Sequence, residues 1–382
     1  MNIPSRFYVT ERNYGCRIDR WSTYKGIRTI VMQNELIRLS FMLDKGTDVF
    51  ELLYKPKDID FLWRAPLGTR HPNHLSSIEQ PEGAFFDHFH GGWQEIFPAG
   101  GGPSLYKGAL LGFHGEVATN IWDYEVLKDD PDCVEVKFTV RTLRTPFVLE
   151  KIVSIKAGKP VIYIDEKITN YGQIDLYYMW GHHPSFGAPF LNSYCRLDLP
   201  ACLVMTHPVL YSQNSRFLPN QTFKWPYAVD RYGKKVDLRL IPGKEAKTAD
   251  MLYATQFTEG WFALTNMEQG IGIGMVWDAK DFPFVWIWQE FGGSMEYPWY
   301  GNAYTLAVEP FTSLPGKEER GLNGSVINGT AELIRKGSSV QKKLNVIIYE
   351  ADSDVKSINS SGTVIFATKK EVNNRDCGMC QY

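Results

Sequence analysis

Apolar and polar residues alternate with period two over most of this chain, while the three-to-four-residue spacing of an amphipathic helix is scarce. Residues 27–34 and 36–43 read as paired strands around Gln33-Asn34-Glu35, followed by the turn Asp44-Lys45-Gly46 and a strand over 48–54. Strands are predicted over 134–141, 148–155 and 161–169, separated by the turn formers Thr145-Pro146 and Gly158-Lys159-Pro160. Later ones are predicted over 195–199, 251–256, 261–265, 271–276, 284–289, 304–309 and 344–349. Strands at intervals of roughly ten residues with turn signals between them predict an all-β chain, a large sandwich or closed barrel. No Gly/Ser or Pro-rich linker and no fixed-period repeat interrupts the pattern. One β domain is therefore expected over 26–350, with an N-terminal extension over 1–25 and a C-terminal segment with a mobile tail over 351–382.

Composition narrows the function classes. Of 382 residues, 44% are hydrophobic and 22% charged, and Lys+Arg 41 against Asp+Glu 43 leaves a net charge of -2. That balance supplies no electrostatic footprint for nucleic acid or an anionic membrane, and it excludes a disordered chain. No apolar run reaches the length of a membrane helix and no secretory leader is visible, so a cytoplasmic location is expected. The sequons at Asn220, Asn323, Asn328 and Asn359 then count as chance matches. The six cysteines are dispersed; only Cys377 and Cys380 have motif spacing, and without a second pair they read as two thiols on a polar tail. The aromatic content, 14%, changes the picture most, because such rings build either large cores or platforms for sugars.

Chemistry concentrates in three glycine-flanked histidine clusters: Asp87-His88-Phe89-His90-Gly91-Gly92-Trp93-Gln94-Glu95, Gly112-Phe113-His114-Gly115-Glu116, and Trp180-Gly181-His182-His183-Pro184-Ser185-Phe186. Glycine lets a ligand approach the backbone, and loops carry function. About half of the five histidines are expected to be structural. Glu309 closes the apolar run 304–308 just before Pro310, where desolvation would raise its pKa into the range of a general base. Trp286 and Trp288 must share one face of a regular strand, so both line a site or both fill core, with Gln289 beside them.

Taken in order, Gly91-Gly92-Trp93-Gln94-Glu95-Ile96-Phe97-Pro98, Phe113-His114-Gly115-Glu116, Gly181-His182-His183-Pro184-Ser185-Phe186 and Ala307-Val308-Glu309-Pro310 resemble the aldose 1-epimerase (galactose mutarotase-like) family, over residues from about 25 to about 350. The resemblance implies a large antiparallel β-supersandwich. It also implies an isomerase that interconverts the α and β anomers of an aldose, with His183 as general acid and Glu309 as general base. His114 is implied as a hydroxyl-binding residue, with Glu116, Arg70, Gln289, Trp288 and Trp93 as further substrate contacts. Strand alternation turns His182 away from His183. Proton transfer needs no metal and no other cofactor, so none is expected, and the partner is a small sugar. The Asn-His-Thr-Tyr-Phe-Asn string of the best-known members is absent, and no equivalent of their sugar-binding Asp can be placed.

Two rivals stand beside this reading. His88, His90 and Glu95, with Gly102 beyond, approach the metal-holding pattern of a cupin-like barrel, although Gly83 is out of register and no Pro-x-Gly precedes His114. A non-catalytic sugar-binding module would use the same rings and glycines. Few cations lie near the motifs, Arg70, His71 and Lys107 being the nearest, which disfavours a phosphorylated sugar.

Overall fold

A computed structural model describes residues 12–74, 82–200, 203–317, 319–351 and 353–367. Two antiparallel sheets stack face to face. The larger has 13 strands, and its main path in chain order is β1 (Arg17–Asp19), β2 (Ile27–Gln33), β3 (Ile37–Met42), β4 (Asp48–Tyr54), β5 (Trp93–Ile96), β10 (Gly181–Phe186), β12 (Leu203–Thr206), β13 (Thr222–Lys224), β14 (Thr248–Thr255), β17 (Phe284–Phe291) and β18 (Tyr304–Phe311). The 8-stranded sheet contains β6 (Asp123–Asp129), β7 (Cys133–Arg141), β8 (Phe147–Lys156), β9 (Val161–Asn170), β11 (Cys195–Asp198), β15 (Gly260–Asn266), β16 (Ile271–Trp277) and β19 (Ser339–Glu350).

The alternation read from the sequence shows directly as burial. β7 and β8 bury every second residue, so Val134, Val136, Phe138 and Val140 point inward while Glu135 and Lys137 stay wetter. Between the sheets, Leu39, Phe41, Val49 and Trp93 meet Val153, Ile162 and Ile164, and the Phe41 and Phe138 rings lie 5.0 Å apart. All thirteen predicted strands are present. Arg17–Asp19 and Thr23–Tyr24, expected within an N-terminal extension, pair with β2. Val355–Ile358 and Val364–Phe366 form a hairpin in the C-terminal segment, and Val355 and Ile358 pack with Trp261 and Ile347. Cys202, Cys377 and Cys380 lie outside the described residues.

The middle of the large sheet runs β4, β5, β10, β18, β17, β14. The strands nearest the middle are buried on both faces: β5 and β10 have no exposed residue, and β17 and β18 only a half-buried first residue. One face packs on the second sheet. The other lies under loops that carry Trp63, Phe85, Phe89, Phe113, Tyr211 and Trp299.

Candidate active site

On that loop-covered face, strand register assembles the site. β10 pairs antiparallel with β18, Gly181 opposite Phe311 and Ser185 opposite Ala307, which sets His183 opposite Glu309. The His183 Nε2 atom lies 3.5 Å from Glu309 Oε1. Across the next two strands Glu309 faces Trp286, and Trp286 faces Tyr253. On the other side His183 is opposite Gln94 of β5.

Electrostatics follows from burial. Glu309 is 1% exposed, its Oε2 has no hydrogen-bond partner, and desolvation raises its pKa well above the usual carboxylate range. Desolvation likewise depresses His183 to about 4, while its Nδ1 lies 3.2 Å from the Ser185 hydroxyl. Both effects favour the neutral pair, carboxylic acid and imidazole, over the ion pair. Beside them Asp48, buried next to the Lys45 ammonium and 3.0 Å from both His90 Nε2 and Gln94 Nε2, stays below its ordinary pKa because Lys45 and His90 outweigh desolvation.

His114 sits 5.4 Å from His183, ring to ring. Its backbone occupies the left-handed region at φ 61, uncommon for a residue with a Cβ. The following Gly115, at φ 78, brings the chain so close to Phe97 that a Cβ would lie 2.5 Å from its carbonyl oxygen. The Gly101 N–H donates to His114 Nδ1 at 3.1 Å, so the neutral ring carries its hydrogen on Nε2. Burial, with His183 adding to it, keeps His114 neutral.

Aromatic rings enclose these groups. Trp288 lies 5.7 Å from His183 and 5.6 Å from Trp299, and Trp63 lies 5.3 Å from Trp299. Phe85 and Phe89 stand edge-on to His114 and His183 at 4.8 Å and 5.6 Å. Trp286 stacks on Phe311 at 4.1 Å and donates its indole N–H to the Ser313 carbonyl.

The structure brings His183, Glu309, His114 and Trp288 together and leaves the other candidates elsewhere. Trp93 packs against His182 at 5.7 Å on the inter-sheet side. Gln289 points away from Trp288's face by alternation, and its side-chain oxygen accepts from Arg216, which also binds Asp250 at 2.7 Å. Glu116 accepts the backbone N–H groups of Leu143 and Arg144 and the Thr145 hydroxyl at 2.8 Å, so it holds a turn. Arg70 is exposed, within the field of Tyr297.

The cupin-like set does not converge. His90 binds Asp48 on the loop-covered face, while Glu95, opposite His182, points between the sheets. There Glu95, Glu166 and His182 form a buried cluster whose ligand-type atoms lie within 4.8 Å. His182 directs Nε2 to Glu166 at 3.0 Å and Nδ1 to Glu95 at 3.8 Å, and Lys151 reaches Glu95 at 3.3 Å. The imidazole thus hydrogen-bonds Glu166 through Nε2 and stands within ion-pair range of Glu95 through Nδ1.

Sequence reasoning missed Asp48, Lys45, Ser185, Tyr253, Trp63 and the phenylalanine enclosure. Tyr253 lay within a predicted strand, but its facing Glu309 two strands away depends on register, which a single strand does not reveal.

The profile of a family described as Domain of unknown function (DUF4432) matches residues 24–348. The chain belongs to this family. No curated protein matches the DUF4432 chain. Among solved structures it is similar to a candidate aldose 1-epimerase from Klebsiella pneumoniae, with TM-score 0.66 and 13% identity over 88% of this chain and 84% of that one. It is also similar to a galactose mutarotase related enzyme from Lactobacillus acidophilus, TM-score 0.58 and 15% identity over 86% of this chain and 100% of that one. A galactose mutarotase-like protein from Lactobacillus casei gives TM-score 0.51 and 17% identity over 84% and 100% of the two chains. At these identities the likeness shows the fold: this DUF4432 protein is galactose mutarotase-like in architecture.

Proposed function

We propose that the protein is an aldose 1-epimerase that opens and recloses a sugar ring by general acid and base catalysis. The observation that carries this is the facing pair His183 and Glu309, 3.5 Å apart, buried, with the second carboxyl oxygen left unpartnered beside aromatic rings. Ring opening needs one group to take the proton of the anomeric hydroxyl while another gives a proton to the ring oxygen; reclosure on the other face reverses both transfers. A pair sharing a single proton meets that requirement.

Of the two groups, Glu309 is the one that burial keeps protonated. Substrate hydroxyls entering the pocket resolvate the carboxylate and let His183 carry the proton, so that Glu309 acts as base and His183 as acid. His114, with a hydrogen on Nε2, donates to a sugar hydroxyl. Trp288 and Trp299 cover an apolar sugar face.

Glu309→Gln and His183→Ala are each expected to lower the rate of anomer exchange by about 10²-fold to 10⁴-fold, with far-ultraviolet circular dichroism unchanged. Polarimetry and NMR exchange over a panel of hexoses and pentoses measure this. Equal rates for variants and wild type would overturn the reading.

A further inference from the structure

The face that presents Glu309 continues beyond it. Glu309, Trp286 and Tyr253 lie in one row across three adjacent strands, which sets Tyr253 about 10 Å from Glu309 at the usual strand spacing. Tyr253 stands edge-on to Trp286 at 5.4 Å. Its hydroxyl lies 2.7 Å from His207 Nδ1, and Tyr211 closes over His207 edge-on at 5.7 Å. His207 and Tyr211 line a small cleft that also touches Asp250 and Met251. Asp250 is neutralised by Arg216.

The chemistry of this end is that of a neutral hydrogen-bonding pair. Burial, with the Arg320 guanidinium adding to it, depresses His207 to about 4. Burial, then Tyr211 and Glu309, holds the Tyr253 phenol protonated. Whichever of the two donates to the other, Tyr253 retains a lone pair or a hydrogen for a further partner. The acid and base pair makes no use of either residue.

We propose that Tyr253, oriented by His207, is a specificity-determining residue that hydrogen-bonds a hydroxyl of the sugar remote from its anomeric carbon. The proposal rests on the epimerase reading for where the anomeric carbon lies. A substrate with its anomeric hydroxyl at Glu309 extends along the row over Trp286 and brings its far hydroxyls to Tyr253.

The test uses D-glucose and D-galactose with their 4-deoxy and 6-deoxy derivatives, following anomeric exchange by NMR. Tyr253→Phe is expected to raise KM for the preferred parent sugar about threefold to tenfold, the range of one neutral hydrogen bond, with kcat within about twofold. The same variant should leave KM unchanged for the one deoxy derivative that lacks the bonded hydroxyl. His207→Asn should raise KM in the same direction for the parent alone. An equal penalty on every derivative, or a fall in kcat at constant KM, overturns the proposal. If wild type exchanges none of these sugars, the epimerase reading fails for them, and saturation-transfer NMR with the same sugars decides the rest: binding weakened by Tyr253→Phe keeps the Tyr253 contact, and absent or unaffected binding removes it.

Discussion

At the residue scale, the two groups opposite each other on β10 and β18 are perturbed by the same cause in opposite senses. Burial depresses His183 to about 4 and raises Glu309. Loading a second proton on the pair therefore means protonating His183, so the acid limb of kcat/KM belongs near pH 4 and away from the ordinary histidine value of about 6.5. A profile measured in the range where the fold persists should stay flat as pH falls through that ordinary value; a loss of activity there would contradict the assignment. The sign for stability is the same: a buried histidine with a lowered pKa favours the folded state above about 6.5, and that contribution is lost as pH falls toward 4. His183 and Glu309 were both singled out by motif context, and the structure sets them opposite each other, 3.5 Å apart. Gln289 and Glu116 carried equally suggestive contexts and are held by Arg216 and by a turn. Nothing local distinguishes a polar side chain that awaits a ligand from one already satisfied.

At the scale of elements, β10 is the strand on which fold and site meet. Every residue of Gly181–Phe186 is buried, so no alternation betrays it, and a histidine cluster flanked by glycines reads as loop. Other wholly buried strands, Gly260–Asn266 and Ile271–Trp277, were legible as apolar runs, whereas this one carries two histidines and a proline and was not; the alternating Asp123–Asp129, rich in charge, was missed as well. On its inner side His182 of β10 binds Glu166 of β9, and Lys151 of β8 binds Glu95 of β5, so the cluster ties the two sheets together directly behind His183. Replacing His182 by Gln leaves buried Glu166 without its cation, Lys151 remaining on Glu95, and is expected to cost about 3–5 kcal/mol, measured by urea unfolding. Desolvation lowers the His182 pKa, but Glu166 and Glu95 outweigh it and the net shift is upward, while burial and Glu95 push Glu166 up to about 7. A raised pKa contributes stability in full below the unfolded value and loses it as pH rises through the folded one. The gap between wild type and His182→Gln should thus be wider at about pH 6 than at about pH 9. A gap independent of pH would mean that the bridge is not charged.

At the scale of the whole molecule, the aromatic excess divides between two compartments that the large sheet separates. Trp93 and Trp180 sit on the inner side, where the Trp180 indole N–H bonds Glu95 and Trp93 packs on His182. Trp288, Trp299 and Trp63 sit on the loop-covered side within 6.1 Å of one another, and Phe89 and His183 touch the same group. Of the two tryptophans expected as substrate contacts, Trp288 lies on the loop-covered side and Trp93 does not, while Trp63, not among them, joins Trp288 there. Chain neighbours on a strand face opposite compartments, so proximity along the chain is a poor guide to proximity across a sheet. The division has a spectroscopic consequence. His183, Glu309 and His114 are all buried beneath these rings, so a sugar that reaches them must displace or contact the outer cluster and leave the inner tryptophans in the same core. Intrinsic fluorescence should change on saturation with a bound sugar, and Trp299→Phe should remove most of that change. Trp93→Phe, a change on the far side of the sheet, should keep it. The reverse ranking would place the sugar between the sheets and would overturn the assignment of the loop-covered face.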